Sequence, residues 1–105
     1  MLFRSRVNAT ITGDNTVVSG VAGKQMLVTG YTFTPTAGGL VTVKSSGGTV
    51  LAELQFVVSV TATTALTYPG TVDSPAFLTA SGEGLVINVQ AGQILKGHIA
   101  YFLVW

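Results

Sequence analysis

The stretch Gly97-His98-Ile99-Ala100-Tyr101-Phe102-Leu103-Val104-Trp105 decides the fold class. Side chains of an extended chain alternate between two faces. Ile99, Tyr101, Leu103 and Trp105 therefore fall together, opposite His98, Ala100, Phe102 and Val104. Both faces are largely apolar, as expected of a strand with a core on one side and a partner on the other. The same period recurs upstream. Leu85–Val89 sets Leu85, Ile87 and Val89 against Val86 and Asn88, and Leu40–Lys44 sets Val41 and Val43 against Thr42 and Lys44. Gln25–Thr34 places Leu27, Tyr31 and Phe33 opposite Val28, Thr32 and Thr34. Thr49–Val60 keeps Val50, Ala52, Leu54, Phe56, Val58 and Val60 on one side, with Leu51, Glu53, Gln55 and Ser59 on the other.

Weaker strand signals lie at Arg6–Thr12, Thr16–Ser19, Leu66–Tyr68 and Ala76–Thr79. Turn signals separate these runs: Gly13-Asp14-Asn15, Gly20 to Gly23, Ala37-Gly38-Gly39, Ser46-Gly47-Gly48, Pro69-Gly70, Ser81-Gly82 and Ala91-Gly92. No window carries the 3.6-residue period of an amphipathic helix. The expectation is an all-β chain: a single antiparallel β-sandwich or jelly roll of about eight short strands. That domain covers residues 13–105, and residues 1–12 form an N-terminal arm or a first strand.

Composition narrows the function. The 105 residues are 48% hydrophobic and 9% charged, with 13 glycines and no cysteine. A charged fraction so far below the usual ~25% leaves little to keep a small surface wet, so much of that surface is expected to be covered by other subunits. The absence of cysteine excludes a disulfide scaffold, a thiolate metal site and a cysteine nucleophile. A net charge of +1 offers neither a basic stripe for nucleic acid nor a polybasic membrane patch. The longest apolar run, Ile99–Trp105, is seven residues, against the ~20 of a spanning helix. Met1–Thr10 lacks the apolar stretch of a secretory signal.

Catalytic chemistry is not expected. His98 is the single histidine, no G-x-S-x-G elbow accompanies it, and the four carboxylates sit in four separate segments. His98 reads as an interface or core histidine, and Glu53 and Glu83 as solvated side chains. No metal site, cofactor site or catalytic residue is assigned. Tyr31, Tyr68, Tyr101 and Trp105, with Asn88, Gln90 and Gln93, offer the materials of a sugar-binding face, although aromatics at this spacing more often serve core or interface.

Several motifs together resemble those of small virion proteins of tailed bacteriophages. They are V-x-G-x-x-G-K at Val18 to Lys24, Gly30-Tyr31, G-x-V-T-V-K-S at Gly39–Ser45, S-G-E-G-L-x-I-N at Ser81–Asn88 and G-H-x-x-Y at Gly97–Tyr101. The resemblance covers about residues 13–105; residues 1–12 and 51–79 fit it least. It implies a jelly-roll or sandwich domain that assembles as a homotrimer on a phage particle. The implied role is a capsid decoration (cement) protein on the outside of the head, made in the host bacterial cytoplasm. Its partners would be further copies of itself and the major capsid protein, with no nucleic acid and no membrane. The alternative is a head- or tail-fibre or spike component, or a carbohydrate-binding β-sandwich. Tyr101, Phe102, Val104 and Trp105 are the candidates for the oligomer interface. Phe3, Arg4 and Arg6, in the segment holding two of the five basic side chains, are the candidates for capsid attachment.

Overall fold

Alternating apolar residues become strands where turns let them pair, and here the pairing is nested. In the structure, a computed structural model, residues 2–36, 39–56, 66–71 and 73–105 are described. Among them nine strands occur: β1 (Phe3–Ala9), β2 (Gly13–Val18), β3 (Gln25–Pro35), β4 (Gly39–Ser45), β5 (Val50–Phe56), β6 (Leu66–Pro69), β7 (Phe77–Leu78), β8 (Leu85–Val89) and β9 (Leu95–Val104). No helix is present among the described residues. Ala37, Gly38 and the Val57–Val60 end of the expected fifth strand lie outside the described residues.

β4 pairs with β5, β3 with β6 and β7, β2 with β8, and β1 with β9, all antiparallel. Two further pairings, β3 with β9 and β4 with β8, close the halves into two sheets. One sheet runs β1-β9-β3-β6, with β7 also on β3; the other runs β2-β8-β4-β5. Their inner faces meet in one core. The five-stranded sheet supplies Val7, Ala9, Met26, Val28, Phe33, Phe77, Leu95 and Ile99, and the four-stranded sheet supplies Val41, Val43, Leu85, Ile87 and Val89. Most of these side chains are fully excluded from solvent, and all but Ala9 are each worth roughly 1.5–3 kcal/mol of transfer free energy.

Two expectations of facing are corrected, each by a β-bulge. In β3 the register shifts between Val28 and Gly30. The additional residue, Thr29, is buried and donates its hydroxyl to the Ala100 carbonyl at 3.3 Å. Parity flips across it, so Val28 points into the core with Tyr31 and Phe33, while Leu27 turns outward. In β5 a shift opposite Val43/Lys44 leaves Leu51 as the added residue. Val50 is therefore 50% exposed, while Leu51, Ala52 and Leu54 pack against the core.

Three of the motif glycines, Gly20, Gly84 and Gly97, allow close backbone packing. A Cβ on Gly84 would overlap the Val18 carbonyl oxygen, and one on Gly20 would overlap that of Gly82. The β2–β3 turn and the β7–β8 loop are thereby in direct backbone contact. At Gly97 (φ +153°) a Cβ would overlap the Thr32 carbonyl across the β3–β9 ladder.

Candidate functional site

The outer face of the five-stranded sheet collects the side chains whose chemistry is unspent. Register places Arg6 opposite His98, His98 opposite Thr32 and Thr32 opposite Thr67. The row on one side is Asn8, Lys96 and Thr34; on the other it is Arg4, Ala100, Gly30 and Pro69. Arg4, Arg6, Asn8, Lys96 and His98 are all exposed. No strand of this sheet contains Asp or Glu.

Because Ala100 and Gly30 have little or no side chain, the sheet sinks there into a shallow depression of about 260 Å³, bordered by Arg4, His98, Thr32 and Thr67. A second, of about 310 Å³, lies over Val7 and Gly97 between Arg6, Asn8 and Lys96. The Thr32 and Thr67 hydroxyls lie 3.4 Å apart. Toward the other end of the same face the character becomes apolar. Phe102, Leu27 and Leu78 stand in one cross-strand row, with Val104 opposite Gln25 beside them. Leu78 is 44% exposed.

Elsewhere Asp14, Lys44, Lys24 and Glu83 have partners of their own. Lys44 Nζ lies 2.8 Å from Asp14 Oδ1, which also accepts from Asn88 Nδ2 at 2.8 Å. The Lys44 and Asn88 donors hold the Asp14 carboxyl below its ordinary value. Lys24 Nζ sits 3.6 Å from the centre of the Trp105 ring. Glu83 is not merely solvated, as expected from sequence: Ser45 Oγ donates to it at 2.5 Å and the Gly47 N–H at 2.7 Å. These donors lower its carboxyl as well. The same clasp continues from the Ala80 N–H to Ser45 Oγ and from Thr79 Oγ1 to the Glu83 carbonyl. It ties the β4–β5 turn to the β7–β8 loop.

The structure divides the residues proposed from sequence. Phe102 and Val104 are on the outer face, whereas Tyr101 points inward, packs against the core and stacks on Phe3 with ring centres 5.4 Å apart. Trp105 is 86% exposed. Arg4 and Arg6 share the outer face, but Phe3 occupies the other parity. His98 is an exposed side chain and not a core histidine. Leu27, Leu78 and Lys96 share the outer face with His98 and are not among the interface residues expected from sequence. Their signal was the alternation itself, once the bulge at Thr29 is placed.

The components of a sugar-binding face are not assembled. Tyr31 stacks between Phe33, Phe77 and Tyr68 at 4.4, 5.4 and 5.8 Å, and burial, with Tyr68 adding, raises its phenol above the ordinary value. Asn88 lies on the four-stranded sheet, Gln90 accepts from the Leu40 N–H and Gln93 is buried. Among the described residues no cluster of His, Asp and Glu could hold a metal ion. No protein-family model matches the sequence, and no curated protein does.

Proposed function

We propose that the chain is a structural subunit of a bacteriophage particle, a capsid decoration (cement) protein that binds the outside of the head as a homotrimer and stabilises it. The observation that carries this reading is the outer face of the five-stranded sheet. It holds an apolar row, Phe102–Leu27–Leu78, and a separate block of cations, Arg4, Arg6 and Lys96, with no carboxylate on any of its strands. The first suits association with further copies, and the second suits a different protein.

The fold is consistent with a jelly roll. The nested pairs β4·β5, β3·β6/β7, β2·β8 and β1·β9 are those of one long hairpin rolled up, so that β9 meets β3 and β8 meets β4. Viral capsid domains are among the proteins built that way. A cement protein acts by binding alone. Bridging neighbouring capsid subunits favours the assembled lattice because the bound state requires both sites. Three linked copies make later contacts intramolecular, so a modest contact per copy suffices.

The first test is the mass in solution by light scattering over a dilution series. A species three times 10.8 kDa that persists on dilution is expected. Particles lacking the protein should then release DNA at a lower temperature than complete ones. A monomer that leaves particle heat resistance unchanged overturns the reading.

A further inference from the structure

We propose that the outer edge of β1 receives an extended acidic segment of a partner protein, which adds as a further strand and sets carboxylates two residues apart against Arg4 and Arg6. The inference goes beyond the decoration role and does not require it.

β1 ends the five-stranded sheet, and no described residue pairs with its other edge. Such an edge offers a row of backbone donors and acceptors to any extended chain, and what is admitted depends on the side chains beside it. On the outward parity of β1 these are Arg4, Arg6 and Asn8, all exposed. A second copy of β1 is a poor occupant, because antiparallel pairing about a two-fold axis centred between the arginines sets arginine against arginine, and like charges directly opposite repel. A strand with Glu or Asp at alternate positions is the favoured one. Residues i and i+2 of an extended chain are about 6.7 Å apart, the same step that separates Arg4 from Arg6. Guanidinium forks donate paired, charge-assisted hydrogen bonds to carboxylates.

Among the described residues neither arginine forms an ion pair. Asp14 is held by Lys44, and Glu83 by Ser45 and Gly47. Behind the arginines, Lys96 on β9 extends the positive block by one strand, with the exposed His98 side chain opposite Arg6. The depressions bordered by Arg6 and Lys96, and by Arg4 and His98, leave room for carboxylates to approach both rows. A small isolated anion cannot engage all three rows of this face, which span about 13 Å.

The test titrates isotope-labelled protein with a synthetic peptide alternating Glu and Thr over about eight residues, a length matched to β1. Parallel titrations use the same peptide with Gln for Glu, and a single-stranded oligothymidylate. NMR shifts confined to β1 and the adjoining β9 amides are expected with the Glu peptide. Affinity should fall about tenfold with the Gln peptide, and about tenfold again for Arg4→Thr/Arg6→Thr protein of unchanged fold. No shifts at millimolar peptide, or equal binding of the Gln peptide, overturns the proposal. Oligothymidylate binding as tightly on the same amides also overturns it, because the face is then a general polyanion surface. Mass is read on the peptide-free protein, which separates this outcome from the trimer. A stable trimer that ignores the Glu peptide defeats this inference alone, and a monomer that binds it defeats the trimer alone.

Discussion

The two outer faces of the molecule are built from the same kind of strand and differ in what their polar groups do. On the four-stranded sheet Asp14, Lys44 and Asn88 satisfy one another across three strands, and Thr42 and Glu53 stand opposite in register beside them. On the five-stranded sheet Arg4, Arg6 and Lys96 face outward with no carboxylate on any strand, next to an apolar row. One face pairs its cation with a carboxylate of its own; the other presents cations that form no ion pair among the described residues. In a chain with 9% charged residues, the placement of a few charges is enough to make two sheets of like construction differ in their outer surfaces.

If the difference is confined to the outside, the inner faces should respond alike. Ile99→Ala and Ile87→Ala, one from each sheet and both fully buried, are each expected to cost about 2–5 kcal/mol in chemical denaturation. A cost on one sheet much below the other would mean that the sheets do not share the core equally. Phe102→Ala probes the outer face next. Phe102 is only half-buried, so the fold should lose less, about 1 kcal/mol, while self-association weakens at least about tenfold by light scattering. Should Phe102→Ala cost as much stability as Ile99→Ala and leave the mass unchanged, the apolar row is not an interface.

Glu83→Gln tests a region that belongs to neither face. Because the Ser45 and Gly47 donors lower the Glu83 carboxyl, the folded state binds its proton less readily than the unfolded chain. Its contribution is complete above the ordinary glutamate range and is lost as pH falls through the folded value. Wild-type stability should therefore decline in acid more steeply than that of Glu83→Gln, measured by denaturation at pH 6 and stepwise below 5, around the ordinary value of about 4.3. Parallel curves would show that the clasp does not depend on the ionised carboxylate.

Much of this architecture was legible because strand periodicity is local. Leu85–Val89 has the expected bounds, and Leu40–Lys44 extends by one residue at each end. Gly20, Gly84 and Gly97 stood out as motif glycines, and each is in a place where a Cβ would strike backbone. What alternation misses is any interruption of its own period. One added residue at Thr29 exchanges the faces of Leu27 and Val28, and the shift at Leu51 turns Val50 outward. Register across distant strands is equally silent, since nothing local in Arg6 or His98 says that they are cross-strand neighbours. The outer face is made from that register, which is why the sequence points to Arg4 and Arg6 but not to the surface they share with Lys96 and His98.

The smallest expected effect comes from the face that carries its own ion pair. Lys44→Ala removes the partner of Asp14, yet Asp14 is more than half exposed and keeps its hydrogen bond from Asn88. Solvent screening limits such a pair to below about 1 kcal/mol. The Asp14 carboxyl is depressed by the Lys44 and Asn88 donors, so its share of stability is present at neutral pH and fades as pH drops through the folded value. Loss of Lys44 should therefore change stability only slightly at pH 7, with still less effect in acid or at 1 M salt. Arg6→Ala provides the mirror measurement on the other face. With no intramolecular ion pair to lose among the described residues, it should leave stability unchanged at every pH and salt concentration while weakening association with an acidic partner. If Arg6→Ala instead destabilises the isolated protein more than Lys44→Ala, the arginine is structural and the contrast between the two faces does not hold.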